Sequence, residues 1–400
     1  MYKSAKQKSS NKNIVLECIF RNSPISRTSI SEMTGITPAS VTTVTSELIE
    51  DGMIYEEGKI DTDTPVSGRK RITLNICPDR YFSIGVEFTS YHLCTCITNL
   101  CGALAYSNTI TFTPELSQHL NESIISEINT AMKQTDIPYS KLAGIGIAIP
   151  GHIDNSNSHI ISNNNIWGNF DARKIADAFN IPVLFENNVR CMALNQYLFH
   201  SSDTPDSFSY FHVGGGIFCA TITNEQLFLG NAYFSGEIGH TIVNPDGPRC
   251  GCGKRGCLQT TASETWLIQN ARLLYKCDSS SLLRHLVSSP EQITIDTIAT
   301  AYTMGDEGIL YYVSNALRYL GIALSNISIL MDPKKVFLNG KMFAYPEIYS
   351  ELSRIITSQL NFVGNEMLMR ITPLPFDHKD GAIGGAALAI IEGLLEISYH

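Results

Sequence analysis

Residues 236–259 bring four metal-ligating side chains into one short stretch. They are His240, Cys250, Cys252 and Cys257, with Gly251, Gly253 and Gly256 between the thiols. Zn²⁺ takes four nitrogen or sulfur ligands in a tetrahedron, and glycines let a backbone wrap closely around so small an ion. Three Cys and one His form a common structural set, although the spacing is not that of a zinc finger and Cys-x-Cys is tighter than the usual pair. One structural Zn²⁺ per chain is therefore the expected cofactor, and whatever else the chain builds must let this loop close on itself. The alternative is a chance grouping in a chain with eleven cysteines.

The first eighty residues carry a different signal. Ile14, Val15, Cys18 and Ile19 recur at helical spacing. Ser26 is suited to cap a second helix running to Thr34, with Ile30 and Met33 facing in, and Gly35 makes the turn. Thr37 and Pro38 open a third helix that ends at Gly52 and buries Val41, Val44, Leu48 and Ile49. The rest of its first half is Ser40, Thr42, Thr43 and Ser46, short hydroxyl side chains that can meet phosphates and base edges without clash. This is the pattern of a helix-turn-helix. Met53–Tyr55 and Ile72–Ile76 read as the strands of a wing, and Arg69, Lys70 and Arg71 follow Gly68 near its tip, as a phosphate or minor-groove contact requires. With Arg27 and Thr37 these hydroxyls and cations make up the expected DNA-binding set. A solvated hairpin in a protein-interaction module is the other reading.

At 400 residues the chain has room for two or three domains. A net charge of −9 argues against nucleic-acid binding throughout, but Lys3, Lys6, Lys8 and Lys12 read either as a basic arm ahead of the acidic body or, equally, as an uncleaved disordered leader. No apolar run reaches bilayer-spanning length and no signal peptide is evident, so the expected compartment is the cytoplasm, with no membrane partner. Cys18, Cys77, Cys94, Cys96, Cys101, Cys191, Cys219 and Cys277 read as small core residues in a reducing environment.

Gly-Glu-x-Gly-His at 236–240, followed by Cys-x-Cys-Gly-x-x-Gly-Cys-Leu at 250–258, resembles the signature of the ROK family of repressors, open reading frames and kinases. The resemblance covers nearly the whole chain, including the N-terminal domain typical of the family's repressors. It implies a winged helix-turn-helix over residues 1–77, followed by an α/β actin-like sugar-kinase body. That body has one lobe over 78–198 and another over 199–400, with the final helix packing back toward the first lobe. Strands are expected at Phe82–Phe88, Leu93–Thr98, Ala143–Ile149, Pro182–Phe185, Tyr210–Val213, Phe218–Thr223 and Val336–Leu338. Helices are expected around 306–330, 346–360 and 381–397.

The resemblance also assigns roles. Zinc falls to His240, Cys250, Cys252 and Cys257. Sugar contacts fall to Gly151, Asn164 or Asn165, Asn187, Asn188, Glu237 and His240, with Gln259 where the family has Glu. Glu237 and His240 lie three apart and would share a face of a helical turn, with one His240 nitrogen on zinc and the other toward a hydroxyl. A solvated surface acid is the plainer reading of Glu237, and a surface histidine the plainer reading of His152, a further candidate contact. The kinase parts are altered. Asp-x-Gly-Gly-Thr is replaced by Glu87-Phe88-Thr89-Ser90, where the phenylalanine is expected to occlude the phosphate. The second phosphate loop keeps Gly214-Gly215-Gly216 and loses its later glycines, and the adenosine segment is Leu338-Asn339-Gly340. Asn188 stands where the family's kinases place the catalytic Asp. An amide cannot take a proton from a sugar hydroxyl at neutral pH, and losing a general base costs on the order of 10²–10⁴ in rate. It can still hydrogen-bond that hydroxyl.

The expected function is thus a sugar-responsive, DNA-binding transcriptional repressor of carbohydrate-metabolism genes with no enzymatic activity, similar to xylose-type and amino-sugar repressors alike. Its partners would be operator DNA, a monosaccharide and a second copy, as a homodimer or dimer of dimers. An ATP-dependent sugar kinase carrying a DNA-binding domain, and a regulator whose body binds a protein, are the alternatives.

Overall fold

In this computed structural model the described residues are 10–58, 72–154, 158–161, 165–230, 234–360 and 370–397. The chain forms two compact units, one of Met1–Thr204 with His378–His400 and one of Pro205–Asp377.

The first unit opens with three short helices whose ends are written in the sequence. Ser10 caps α1 (Asn11–Asn22) by accepting from the Asn13 backbone. Ser26 caps α2 (Arg27–Thr34), which stops where Gly35 takes a left-handed φ of 70°. Thr37 caps α3 (Pro38–Glu50), with proline at its start. Val41, Val44, Thr45 and Leu48 are the buried stripe of α3, and Ile49 is only half-buried. Ile30 is buried as expected, but Met33 is 60% exposed. Three residues place Met33 about 60° around the helix from Ile30, beyond the narrow strip that the neighbours of so short a helix cover. A three-stranded sheet closes this module in the order β1-β3-β2, from β1 (Ile25–Ser26), β2 (Ile54–Glu57) and β3 (Thr73–Ile76). The tip between β2 and β3 lies outside the described residues.

The rest of the unit is a five-stranded sheet ordered β10-β7-β4-β5-β6. It comprises β4 (Phe82–Phe88), β5 (His92–Asn99), β6 (Leu104–Thr111), β7 (Leu142–Ile149) and, after the small hairpin of β8 (His152–Asp154) and β9 (His159–Ile161), β10 (Val183–Asn187). Strand alternation decides its two faces. Ile84, Val86 and Phe88 point with Ile145, Ile147 and Ile149 into a core covered by α5 (Leu120–Thr135), beside the short α4 (Pro114–Gln118) and α6 (Ala172–Ala176). Phe88 lies there against Trp167 and Phe170, with ring centroids 5.3 Å away in each case. It therefore does not occlude a phosphate position as expected, because the strand continues through it and turns its ring to the apolar face. Gly85 and Glu87 take the opposite face.

That opposite face is covered by α7 (Asn188–Phe199) and by a helix from the far end of the chain, α14 (Asp380–Gly393). A Cβ on Gly85 or Gly146 would overlap the carbonyl oxygens of Ala382 and Gly385, and one on Gly384 would overlap the Cys191 carbonyl. The glycines thus let α14 lie backbone-to-backbone on the sheet and on α7. The C-terminal ends of both helices meet α1. Tyr197 Oη donates to Glu17 Oε1 at 2.8 Å, the Arg21 guanidinium lies 4.3 Å from the Tyr197 ring centroid, and Asn13 Nδ2 donates to Glu396 Oε2 at 3.2 Å.

The second unit repeats the layered plan. Its sheet runs β13-β12-β11-β14-β15, from β11 (Phe208–Val213), β12 (Ile217–Thr223), β13 (Gln226–Leu227), β14 (Lys335–Asn339) and β15 (Ile371–Pro373). Around it pack α8 (Gln259–Ala262), α9 (Glu264–Cys277), α10 (Leu283–Leu286), α11 (Ile295–Thr303), the long α12 (Glu307–Met331) and α13 (Pro346–Leu360). No helix among the described residues is long and apolar enough to cross a membrane.

Candidate functional site

The metal loop comes after β13, and its start packs against β12, where the Cys219 backbone donates to the Gly236 carbonyl at 2.8 Å. A single 3-10 turn, Ile238–His240, is followed by a chain that doubles back through bridges between Ile242 and Cys257 and between Arg249 and Arg255. Gly256, at φ 67°, passes so close to the Asn244 carbonyl that no side chain fits. This folding gathers the four expected ligands, with all their ligand atoms within 4.8 Å of one another. His240 Nδ1 is 3.5 Å from Cys250 Sγ, and Cys252 Sγ is 3.6 Å from Cys257 Sγ. A Zn–S bond of about 2.3 Å implies a tetrahedron edge of roughly 3.7 Å, so the donor set fits such an ion. Cys250 and Cys257 are buried. Burial, then the neighbouring thiols, push Cys257 up to about 12. Cys252 lies below the ordinary thiol value; burial opposes this and is outweighed by hydrogen bonds with the Lys254 backbone and with Cys250 and Cys257. Thiols crowded this way ionise together only when a cation balances them.

With Nδ1 turned to the thiols, His240 presents Nε2 to Glu237, 4.0 Å from Oε2. Glu237 is thus beside the ring rather than a solitary surface acid. Gln259 Nε2 lies 3.5 Å from Cys250 Sγ, so Gln259 leans on the metal loop. It also walls a groove of about 380 Å³ with Gly215, Arg249, Ser263 and Trp266.

The other expected sugar contacts are in the first unit. Asn187, at the end of β10, caps α7 by accepting from the Val189 and Arg190 backbones at 2.9 and 3.3 Å, and its Nδ2 donates to the Gly151 carbonyl at 3.1 Å. A buried Glu186–Arg190 pair at 3.3 Å holds this junction. Asn188 Nδ2 donates to Glu87 Oε1 at 3.1 Å, and its Oδ1 accepts from the Val189 backbone at 3.0 Å. Gly151, Asn187 and Asn188 are therefore brought together. Asn164 lies outside the described residues, and only the backbone of Asn165 is described, opening a 3-10 turn. His152 is 8% exposed, not a surface residue, although it lies on the small hairpin, where it pairs with Ile161.

Glu87 was not among the expected contacts. It is 2% exposed, with His92 Nε2 3.6 Å from its Oε2 and Gly381 directly against its carboxyl group. Its partner Asn188 is 101 residues away, so no local sequence pattern could have signalled the pair. Glu264 is a second unanticipated acid. Its backbone donates to the Gly214 carbonyl at 2.9 Å and its Oε1 accepts from the Lys341 backbone at 3.2 Å, tying the loop after β11 to the loop after β14. Burial raises it to about 7, opposed by the Lys341 N–H and charge.

On α3 the hydroxyls of Thr42, Thr43 and Ser46 are exposed, and each donates to a carbonyl four residues back, leaving oxygen lone pairs outward. Thr37 and Ser40 pair with each other at the helix start. Arg27 donates to Thr45 Oγ1 at 2.8 Å and pairs with Glu56 at 2.8 Å, so its guanidinium braces the module from within. Arg69, Lys70 and Arg71 lie outside the described residues.

A sequence profile described as ROK family matches residues 83–392, and one described as winged helix-turn-helix DNA-binding matches residues 12–55. The xylose repressor of Bacillus subtilis (strain 168) is 29% identical over 389 residues, covering 95% of this chain and 94% of that protein. The DNA-binding transcriptional dual regulator NagC of Escherichia coli (strain K12) is 26% identical over 401 residues, covering 96% and 94%. Among solved structures, a ROK family transcriptional regulator described as a homolog of the E. coli MLC protein aligns over 96% of this chain and 97% of that one. Its TM-score is 0.74 at 24% identity. A ROK family glucokinase from Streptomyces griseus, in complex with glucose and AMPPNP, aligns over 77% and 98% with a TM-score of 0.63 at 23% identity. At these identities the structural likeness is one of fold, an N-terminal winged helix-turn-helix followed by an actin-like sugar-kinase fold.

Proposed function

The chain belongs to the ROK family, and on that premise we propose that it is a sugar-responsive, DNA-binding transcriptional repressor of carbohydrate-metabolism genes whose kinase-like body does not transfer phosphate. The observation that carries this reading is Asn188. Where a kinase of this fold needs a base, the chain has an amide that donates to Glu87 and accepts from the Val189 backbone. An amide so held can offer hydrogen bonds to a polyol but cannot remove its proton. Two further features agree. Glu264 adds a half-buried acid between the loops that begin at Gly214 and Gly340, where a triphosphate would require positive charge. The relatives that match nearly end to end, winged helix included, are named repressors or regulators.

In this reading the Gly151, Asn187 and Asn188 cluster offers hydrogen bonds to a sugar, and the family resemblance adds Glu237, His240 and Gln259 as candidate contacts. His240, Cys250, Cys252 and Cys257 hold one structural zinc, which fixes the His240 ring with Nδ1 on the metal and Nε2 left for Glu237 and ligand. The α3 hydroxyls and the Arg69–Arg71 cations contact operator DNA, with the protein acting in the cytoplasm as a homodimer or a dimer of dimers.

A panel of monosaccharides, D-xylose and N-acetylglucosamine among them, is the direct test. Thermal shift on the purified full chain, with and without ATP, should single out one sugar whose effect ATP does not enhance. That sugar should change operator affinity. ADP release at rates typical of kinases, or operator binding indifferent to every sugar, would overturn the reading.

A further inference from the structure

We propose that α7 and α14 form a two-helix strut through which occupancy at Asn188 is read by the winged helix-turn-helix; this rests on the sugar-sensing reading above. Both helices begin at one carboxylate. Glu87 accepts from Asn188, the first residue of α7, and lies against Gly381 in the first turn of α14. The helices then run side by side, and Gly384 sits against the Cys191–Met192 backbone, three residues into each helix from the Glu87 end. Both end on α1. From α7, Tyr197 Oη donates to Glu17 and the Tyr197 ring lies under Arg21. Just past α14, Glu396 accepts from Asn13.

The two helices are suited to this by stiffness. All residues from Val189 to Leu198 of α7 are buried, so the helix has no loose face on which a shift could dissipate. At Gly384 the contact with α14 is backbone against backbone, with no side chain to re-pack at that point. Close-packed interiors pass on a displacement instead of absorbing it, and packed elements move between discrete arrangements. From Asn188 to Tyr197 the helix spans roughly 14 Å at 1.5 Å per residue. A sugar hydroxyl that engages the Asn188 amide competes with Glu87 for it. Glu87 is buried and shared by the starts of both helices, so a change in that bond acts on the pair together and reaches α1 through two separate hydrogen bonds.

The test is amide hydrogen exchange on the full chain, with and without D-xylose, or with N-acetylglucosamine if D-xylose gives no thermal shift. In the parent protein, sugar should change exchange several-fold both in the first turn of α7 and in α1 (Asn11–Asn22). In a Tyr197→Phe, Asn13→Ala double variant, which of these contacts leaves only that of Arg21 with the ring, the α7 response should persist and the α1 response should fall several-fold. Glu17→Gln, which weakens the same contact from the α1 side, replaces the double variant if thermal melting shows that the latter does not fold. An α1 response of parental size in either folded variant would overturn the strut. So would a parent in which α7 responds and α1 does not. If no sugar of the panel shifts the melting temperature of the parent, the sugar-sensing reading fails first, and the strut with it; a sugar that does shift it replaces D-xylose in the exchange experiment.

Discussion

Cys257 is the thiol around which the metal loop closes, buried and touching both Cys252 and the His240 carbonyl. Replacing it should therefore do more than delete one ligand. The protein as isolated should carry about one equivalent of zinc, and Cys257→Ser should carry far less. A structural zinc contributes on the order of 10 kcal/mol to its own site, so limited proteolysis should then cut within residues 240–258. Full zinc content with an unchanged digestion pattern would refute this. Glu264 makes a pH prediction at the same scale. Its carboxyl is raised from 4.5 to about 7, by burial first. The native state therefore binds the proton more tightly than the unfolded chain. The stability tied to this group is complete below about pH 4.5 and is lost as pH rises through about 7. At about 1.4 kcal/mol per unit, discounted for partial exposure, the loss is on the order of 2 kcal/mol. Glu264→Gln keeps the acceptor for Lys341 N–H and removes the titration. Its melting temperature should exceed that of the parent at pH 8, and the difference should close by pH 5. An equal gap at both pH values would assign the effect to packing instead.

At the scale of elements, α14 shows where the sequence is readable and where it is not. Its helicity and place at the chain's end are legible, as are the caps Ser26 and Thr37, the turn at Gly35, the strands β4, β7 and β14, and the four clustered metal ligands. All of these are local signals. What α14 packs against is a different kind of fact. Gly381, Gly384 and Gly385 look like weak points in a helix until Glu87, Cys191 and Gly146 are found against them. Residues that form a surface from distant parts of the chain leave no period to read. The same holds for α7, which is buried from Val189 to Leu198 and so lacks the polar stripe that marks an amphipathic helix. The side of β4 that the Phe88 ring takes is set by Trp167 and Phe170, far along the chain, and so is not legible locally; Met33 is exposed because α2 is narrower in contact than its pattern suggests. The glycine interface gives its own prediction. A Cβ on Gly146 would overlap the Gly385 carbonyl, which is backbone and cannot swing away. Gly146→Ala should destabilise the first unit by about 3 kcal/mol or more, whereas Gly251→Ala, where nothing lies within 4 Å, should have little effect. Chemical denaturation of both variants decides it, and equal midpoints would contradict the close contact.

For the whole molecule, regulation by a sugar carries a thermodynamic obligation. If a sugar weakens operator binding by some factor, operator DNA must weaken sugar binding by the same factor. Typical couplings are about 5–150-fold. Sugar affinity measured by calorimetry on the free protein and on its DNA complex should differ by the ratio found in operator titrations. Unequal ratios would mean that another bound species links the two equilibria. The pairing of Asn13 with Glu396 has a consequence in time. These residues are 383 positions apart. At about 5–20 residues per second a ribosome needs roughly 20–80 s to travel from one to the other. Throughout that interval the emerging DNA-binding module lacks the helix that completes its seat. A nascent chain, or one released by a premature stop codon, would carry the helices that read an operator without the support that sets their pose. Messages cut short should thus yield mute fragments, not constitutive silencers.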